Sequence, residues 1–330
     1  MKIALIGPGI MNIPPPGHGA VEILIWDYYI ELKKQGYHVD IINLLRQSQQ
    51  DQSRPDTLYC KELIYKINTG NYDFVHLHYD CLYHILPFLN CKLKAITSHY
   101  PYIDQTNRHN NDGYSKIFQN ICNNTNHIIF ALSKKDMRTF KENSVDKSKI
   151  ILLLNGSNHN VIRPIHYKKK SEPNKSIYIA KIEERKQQHI YKEIPNINFY
   201  GKCDDNKFKN LPCFKGEYIH DELLSILVNH GNLVLLSNGE NGTPLVIKEA
   251  LMAGLPIVTN RYSIDDLDAF LPFVDIIPDD KLYDLQYIQN VIENNLKKQD
   301  QYNEIREYAV SNFSWEFLVK KYIKSFSSMN

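Results

Sequence analysis

The most informative segment of this 330-residue chain reads Ser237-Asn238-Gly239-Glu240-Asn241-Gly242-Thr243-Pro244-Leu245-Val246-Ile247-Lys248-Glu249-Ala250. An apolar run at residues 233–236 precedes it, and a second at 257–259 follows it. Short apolar runs separated by an amphipathic stretch are typical of strands joined through a helix. Thr243 is a favourable N-cap and Pro244 a favourable first helical residue, so the segment predicts a strand, a glycine-rich loop and a helix over 244–253.

This predicted helix has two features that suit a ligand. Its first N–H groups, at Leu245 and Val246, have no carbonyl partner one turn back and would point towards whatever fills the loop. Glu249 lies more than one turn into the helix, where a carboxylate can accept both hydroxyls of a ribose. An exposed helix glutamate is the plainer interpretation of Glu249, and both interpretations stay open.

The same alternation of apolar runs and amphipathic stretches extends along the whole chain. Further strands are predicted at residues 3–6, 39–43, 74–78, 93–97, 128–132 and 150–154, and then at 177–180, 197–200, 233–236, 257–259 and 274–277. Further helices are predicted at residues 21–35, 221–229, 280–298 and 315–326. Alternating strands and helices predict an α/β fold with parallel sheets and right-handed crossovers.

The pattern divides near residue 160, where it restarts. Residues 168–175 are polar and aperiodic and predict a surface loop or hinge. We therefore expect a first domain over 1–158, a second over 159–312, and a final helix within 313–330 that packs on the first domain, where Trp315 would be structural. Two Rossmann-like units of this kind usually bind a ligand between the C-terminal ends of their sheets.

Composition excludes several classes of protein. The 39 Lys and Arg against 37 Asp and Glu leave a net charge of +2, too little for a surface that binds nucleic acid by charge alone. No apolar run approaches the roughly 20 residues of a membrane span, and the apolar N-terminus is too short for a signal peptide. The six cysteines include no C-x-x-C pair, which favours reduced thiols in a cytoplasmic protein over a zinc site.

The loop after the first strand, residues 7–22, is rich in glycine and proline. Glycines at a strand-to-helix turn allow close backbone approach, and the following helix start suits a phosphate. The spacing is not G-x-G-x-x-G, and Asn43 stands where a dinucleotide site needs an acidic residue, so an NAD site is disfavoured. A rigid proline turn is an equal alternative.

Two lysines follow the first strand of the second unit. Lys181 and Lys186 are five residues apart, across a predicted strand end and helix start, so they can converge on one diphosphate. Considered alone, a solvated charged turn is the commoner outcome of such a pattern.

Together these segments resemble the retaining glycosyltransferases of family four, which have the GT-B fold of two facing Rossmann-like domains with parallel sheets. The resemblance covers nearly the whole chain and keeps the order of the family's motifs. The matching segments are Gly17-His18-Gly19-Ala20-Val21-Glu22, Asp73-Phe74-Val75-His76-Leu77-His78, Thr97-Ser98-His99, Asn155-Gly156-Ser157-Asn158, Lys181 to Lys186, Glu240 to Gly254, and the Trp315 helix start. Asn158 replaces the family's usual aspartate, and Ala180 replaces a glycine.

The resemblance implies transfer of a sugar, with retention and without a metal or other cofactor, from a nucleotide diphosphate sugar to a hydroxyl acceptor. A UDP-sugar is favoured over a GDP-sugar. The implied catalytic residues are His99, Lys181, Lys186 and Glu240, and the implied donor contacts are Gly19, Ala20, Asn241, Gly242, Thr243, Leu245, Val246 and Glu249. Adjacent aspartates at 204–205, 265–266 and 279–280 predict solvated loops and no metal site.

One spacing departs from the family. Its two glutamates have seven residues between them, whereas Glu240 and Glu249 have eight. Either the loop carries one extra residue and Glu240 contacts the donor sugar, or Asn241 does. We favour Glu240.

The acceptor region is expected in the first domain, at His18, His78, Tyr100 and Arg108. Their loops, at residues 11–18 and 100–114, and a third at 51–57 would bind a glycan, glycoprotein or lipid-linked acceptor, or form a flexible lid. His76 and His78 are expected to alternate across their strand, so that at most one faces the ligand and the other packs in the core.

A degenerate GT-B protein that binds a nucleotide or glycan without turnover is the main alternative. The shifted glutamate spacing, Ala180 and Asn158 motivate it. A GT-B epimerase or phosphorylase ranks lower, since a phosphorylase would need a pyridoxal lysine and usually a far longer chain.

Overall fold

The structure is a computed structural model that describes residues 1–16, 19–46, 57–268 and 270–327. These residues group into two compact units. Unit 1 holds the described residues of Met1–Pro15, Gly19–Asn155 and Trp315–Asn330, and unit 2 holds those of Pro16–His18 and Gly156–Ser314.

Unit 1 is built on a six-stranded parallel sheet. Its strands are β1 (Lys2–Ile6), β2 (His38–Ile42), β3 (Phe74–Leu77), β4 (Leu93–Thr97), β5 (Ile128–Ala131) and β6 (Ile150–Leu152). The helices between them are α1 (Ala20–Lys34), α2 (Thr57–Thr69), α3 (Ser115–Cys122) and α4 (Lys134–Asn143), with a 3₁₀ helix at Asp80–Phe88. The strand order is β2-β1-β3-β4-β5-β6, so β2 lies on one side of β1 and the later strands are added on the other side, beginning with β3.

Unit 2 is built on a second six-stranded parallel sheet. Its strands are β7 (Glu172–Ile179), β8 (Ile197–Tyr200), β9 (Phe214–Gly216), β10 (His230–Leu235), β11 (Ile257–Asn260) and β12 (Val274–Ile277). Its helices are α5 (Gln188–Tyr191), α6 (Asn206–Lys209), α7 (His220–Leu227), α8 (Leu245–Met252), α9 (Leu285–Leu296) and α10 (Tyr302–Phe313). The order β12-β11-β10-β7-β8-β9 is that of a Rossmann fold, with its switch point between β7 and β10.

The apolar runs form these strands because both faces of each sheet are covered. Ile3 to Ile6 of β1 and Leu233 to Leu235 of β10 are completely buried. Parallel strands buried on both faces read as continuous apolar runs, which is the pattern that the sequence shows.

Two predictions about the second half of the chain were wrong. Residues 168–175 are not simply a loop, because β7 already begins at Glu172. Lys170 is buried there, and its Nζ donates to the carbonyl of His230 at 2.9 Å. The helix predicted at 280–298 is shorter, because 3₁₀ turns at Asp279–Lys281 and Lys297–Gln301 flank α9.

The last helix, α11 (Trp315–Ser327), belongs to unit 1. The Trp315 indole N–H donates to Asp27 Oδ2 at 2.9 Å, and its ring meets Tyr28 edge-on at 4.5 Å between centroids. Both partners lie on α1, so α11 packs against α1. Among the described helices, none has the combined length and apolar character required to cross a membrane.

Candidate functional site

The switch point of unit 2 brings two loops together. The turn after β7 and the loop after β10 both leave the carboxyl edge of the sheet, where open α/β sheets bind ligands. Asn238 N–H donates to the carbonyl of Arg185 at 2.7 Å, and Arg185 Nη1 donates to the carbonyl of Gly239 at 2.9 Å. The two loops therefore form one structure although about fifty residues separate them.

Charged side chains cluster where these loops meet. Lys186 Nζ forms an ion pair with Glu240 Oε1, and Arg185 Nη1 lies 3.2 Å from the other carboxylate oxygen. Arg185 also pairs with Glu183 at 3.0 Å, and Lys181 Nζ lies 4.0 Å from Glu183. Three cations and two carboxylates leave the cluster one net positive charge.

The two lysines differ in their surroundings. The Lys186 side chain is 12% exposed and that of Lys181 is 50% exposed. Burial lowers the pKa of Lys186, and the nearby Glu240 carboxylate opposes that shift. Lys186 is thus a buried, partnered cation, whereas Lys181 lies in water at the edge of the cluster.

Glu240 is also buried, and its charge is maintained by its partners. Burial by itself would raise the pKa of this carboxyl, but Lys186 and Arg185 outweigh it, and the pKa lies below its ordinary value. Asn241, the other candidate for the first-glutamate position, is half-buried and follows in the same loop. Of the two side chains, Glu240 is the one paired with Lys186.

Thr243 is not the N-cap of α8. Pro244 occupies that position, and the helix begins at Leu245. Thr243 is instead buried against Asp266: its N–H donates to Asp266 Oδ2 at 2.9 Å, and its Oγ1 accepts from the Asp266 N–H at 3.3 Å. Leu245 and Val246 form the first turn, so their N–H groups have no partner within the helix.

The prediction that residues 265–266 form a solvated loop was wrong for Asp266. Its side chain is fully buried and pairs with Lys248 of α8, which is also buried, at 3.2 Å. Its partners, Thr243 and Lys248, lie about twenty residues earlier in the chain, so no local pattern around Asp266 indicates its burial.

Glu249 has a partner that the sequence analysis missed. Its Oε1 lies 2.6 Å from Nε2 of His220, the first residue of α7. His220 follows β9, a three-residue strand without an apolar run, so no periodic signal places it near Glu249.

In unit 1 the loop after β1 is braced from β2. Asn43 accepts from the Gly9 N–H and donates to the carbonyl of Met11, both at 2.8 Å. Gly19 precedes α1 with φ of +130°, a backbone conformation that favours glycine over residues with a β-carbon. Ala20 is the first residue of α1. The predicted acceptor residue His18 and most of loop 51–57 lie outside the described residues.

The expectation that His76 and His78 alternate across their strand was wrong. Residues two apart share a face, and the two rings lie 3.9 Å apart between centroids. His76 is a core residue bonded to Tyr322 Oη at 3.0 Å and Thr97 Oγ1 at 2.8 Å. His78 is buried beside it, and its ring centroid lies 6.3 Å from that of His99.

Burial keeps these imidazoles neutral. It lowers the pKa of His99 to about 4 and that of His78 well below its ordinary value. The Nε2 atoms of both residues are buried and have no hydrogen-bond partner in the part of the chain that the structure describes. A neutral imidazole has one donor and one acceptor nitrogen, so it can donate a hydrogen bond to a hydroxyl or accept one from it.

Tyr100 and Arg108 are brought together by Asp112. Tyr100 donates its hydroxyl to Asp112, and Arg108 Nε lies 3.0 Å from the same carboxylate. Tyr100 stacks on Tyr114 with 3.9 Å between centroids, and the Arg108 guanidinium lies 3.6 Å above the Tyr102 ring. This cluster places the partly buried Tyr100 ring and the exposed side chain of Arg108 on one loop.

The described residues contain no group of three or more histidine, cysteine, aspartate or glutamate side chains placed to hold a metal ion. The nearest acidic groups of the site, Glu183 and Glu240, are engaged by Arg185 and Lys186.

Comparison of the whole chain with known proteins identifies its fold. No protein-family model matches the sequence, and no curated protein matches it either. Its structure is similar to that of sucrose-phosphate synthase from Thermosynechococcus elongatus, with 15% identity, 99% and 98% of the two chains covered, and a TM-score of 0.76. HepE from Anabaena, in complex with UDP-glucose, is 13% identical, with 99% and 100% covered and a TM-score of 0.74. A glycosyltransferase from Rickettsia africae is 13% identical, with 99% and 98% covered and a TM-score of 0.66.

These structural neighbours are GT-B glycosyltransferases, and the chain has their α/β fold with two six-stranded parallel sheets. The fold expected from the sequence motifs is therefore confirmed. Other structures of HepE contain UDP alone or UDP with glucose.

Proposed function

We propose that this protein is a retaining, metal-independent glycosyltransferase that transfers a sugar from a UDP-sugar to a hydroxyl acceptor. The observation that carries the proposal is the Arg185–Lys186–Glu240 cluster at the switch point of a Rossmann-ordered sheet, within a GT-B fold. Neighbours with this fold bind UDP and UDP-glucose, which supports a nucleotide-sugar donor.

The chemistry requires a group that stabilises the departing diphosphate. Lys186 supplies a buried cation, and the first turn of α8 supplies N–H groups at Leu245 and Val246 with the positive end of the helix dipole. Glu240 then lies beside the cation that receives the phosphate, where its carboxylate would contact the donor sugar. Glu249 would hold the ribose.

Retention would follow from attack of the acceptor on the same face as the departing phosphate. In that route the acceptor oxygen bonds to the anomeric carbon on the face from which the phosphate departs, so retention needs no carboxylate nucleophile, and a phosphate oxygen accepts the acceptor's proton. His99, being neutral, would bind a sugar hydroxyl without adding charge. Tyr100 and Arg108 would contact a glycan, glycoprotein or lipid-linked acceptor, and a cytoplasmic location belongs to the same proposal.

Nucleotide binding tests the diphosphate assignment. Isothermal titration with UDP and GDP should show that UDP binds wild-type protein more tightly. Lys186→Ala removes a charge-assisted contact of roughly 1.5–3 kcal/mol, so UDP affinity should fall about 10- to 100-fold. Lys192→Ala, a change to a partly exposed lysine of unit 2, is the matched control and should alter affinity less than twofold. Equal UDP affinity in Lys186→Ala and wild type would contradict the assignment.

Turnover separates the enzyme from the binding-protein alternative. UDP release from a panel of UDP-sugars, measured with glycan and glycolipid acceptors and with EDTA present, should rise above the rate without protein. The anomeric configuration of the product, determined by NMR, should match that of the donor. Tight UDP binding with no release from any donor would favour a degenerate GT-B binding protein.

A further inference from the structure

The buried ion pair of Lys248 and Asp266 stands directly behind the proposed diphosphate loop. Asp266 Oδ2 accepts from two donors: Lys248 Nζ at 3.2 Å and the Thr243 N–H at 2.9 Å. The Asp266 N–H in turn donates to Thr243 Oγ1 at 3.3 Å. Asp266 and Thr243, the residue before the N-cap of α8, are therefore joined by two reciprocal hydrogen bonds, in each of which a backbone N–H donates to the other residue's side-chain oxygen.

Stability alone gives no reason for this pair. The side chains of Lys248 and Asp266 are 1% and 0% exposed, so both charges are removed from water. Burial raises the pKa of Asp266 and lowers that of Lys248, so each ion is disfavoured by its surroundings. Asp266 Oδ1 is buried and meets no donor among the residues that the structure describes. Well-packed apolar side chains are often as stable as such a pair, or more so.

The pair is joined to the start of α8 by a short covalent path. The carbonyl of Pro244 accepts from the N–H groups of Ile247 and Lys248, which fixes the first turn relative to the N-cap. Thr243 is the residue before Pro244, so holding Thr243 holds the position at which α8 begins. The Lys248 ammonium also lies 5.1 Å from the Phe313 ring, so it is held on a second side.

We propose that Lys248 and Asp266 are positioning residues, which hold the loop of residues 241–244 and the first turn of α8 where the donor's diphosphate binds. Asp266 provides the carboxylate oxygen that anchors Thr243, and Lys248 provides the counter-charge that lets a carboxylate stay in this interior. The inference rests on the proposed function, because it takes the diphosphate to bind at this loop.

The experiment compares a nucleotide with its nucleoside. UDP and uridine are titrated into wild-type protein and into the double variant Lys248→Met/Asp266→Leu. This variant removes both charges and fills the same space with apolar side chains of similar volume. UDP affinity should fall about tenfold, whereas uridine affinity should change less than twofold, since uridine has no phosphate. Lys248→Met/Asp266→Ala is the second variant if leucine does not fit.

The matched control removes another ion pair from the same unit. Lys298 pairs with Asp275 of β12 at 2.7 Å, and among the hydrogen bonds of the described residues none joins this pair to the 241–244 loop. Lys298→Met/Asp275→Asn should leave UDP and uridine affinities within twofold of wild type. A third variant, Lys248→Met/Asp266→Asn, keeps an acceptor oxygen for the Thr243 N–H and should retain most of the UDP affinity.

Three outcomes would overturn the inference. One is UDP affinity unchanged in the folded Lys248→Met/Asp266→Leu or Asp266→Ala variant. The second is an equal loss of uridine and UDP affinity, because it would mean general damage to unit 2. The third is a loss in Lys248→Met/Asp266→Asn as large as with leucine. Wild-type protein that binds neither UDP nor GDP would overturn the proposed function, and this inference with it.

Discussion

Acid should destabilise unit 1 through histidines that are neutral in its interior. His99 is the one whose contribution can be worked out, because burial lowers its pKa from 6.5 to about 4. Between these values the unfolded chain binds a proton that the folded chain does not, so stability falls as the pH falls. Above about pH 7.5 this histidine does not lower the free energy of unfolding, and below the folded-state pKa the decrease is complete.

The magnitude follows from the two pKa values. At pH 5 an unfolded histidine is almost entirely protonated and His99 is about one-tenth protonated, which costs about 2 kcal/mol relative to pH 7.5. His76 and His78, whose pKa values are also lowered by burial, add to the slope of the wild type. The variant His99→Gln cannot titrate, so its stability should decrease less on acidification.

Tryptophan fluorescence during urea unfolding is the assay. The chain has two tryptophans, Trp26 on α1 and Trp315 on α11, and both lie in unit 1 with His99. The advantage of wild type over His99→Gln in free energy of unfolding should shrink by about 2 kcal/mol between pH 7.5 and pH 5. His38→Gln, at an exposed position of β2, is the control for loss of a surface histidine. Parallel pH curves for wild type and His99→Gln would refute the reasoning.

Two further predictions concern unit 2. Gly201→Ala should destabilise it by roughly 1–3 kcal/mol, because φ is +133° and a β-carbon would lie 2.3 Å from the carbonyl oxygen of Ala180. Calorimetry should show a lower melting temperature for this variant. Gly113→Ala is the control for backbone strain alone, because Gly113 has φ of +68° and open space around its β-carbon position. Lys170, whose pKa burial lowers to about 8, should contribute a gain of about 2–3 kcal/mol to the stability of wild type relative to Lys170→Met as the pH rises from 8 to 10.5, since the unfolded chain alone keeps this proton there. Lys170→Met should abolish that gain, and hydrogen exchange of β7 and β10 amides measures it; an unchanged slope in the variant would contradict the pKa.

The fold was largely predictable because strands buried on both faces leave continuous apolar runs in the sequence. β9 is the exception that shows the limit: Phe214-Lys215-Gly216 has no such run and is a strand because Phe199 of β8 pairs with Phe214. No helix was predicted for α10 either, which follows α9 after only a 3₁₀ turn.

The sequence gives local signals for some parts of the candidate site only, and the site residues stay a prediction. Glycines, Pro244 and the lysine spacing mark the loops and indicated Lys181 and Lys186, whereas Glu240 was favoured over Asn241 only through the resemblance to the glycosyltransferase family. Arg185 pairs with a residue 55 positions away, and Asp266 and His220 also find their partners across the fold. Spacing along a chain contains no information about such pairs, because they depend on which strands the sheet places side by side.

The net charge of the chain gives little indication of how strongly unit 2 attracts an anion. The total is +2, yet the cluster at the switch point brings together three cations and two carboxylates. Lys186 and Glu240 are each about nine-tenths buried at the side chain, so their attraction is screened less than that of a surface pair. If the proposed function is right, the oxygens of a diphosphate that enters the loop would take the place of the Glu240 carboxylate as the partner of the Lys186 ammonium. Because the lysine is already desolvated and already held by an anion, binding would replace one ion pair with another, and the cation would be in place before the donor arrives.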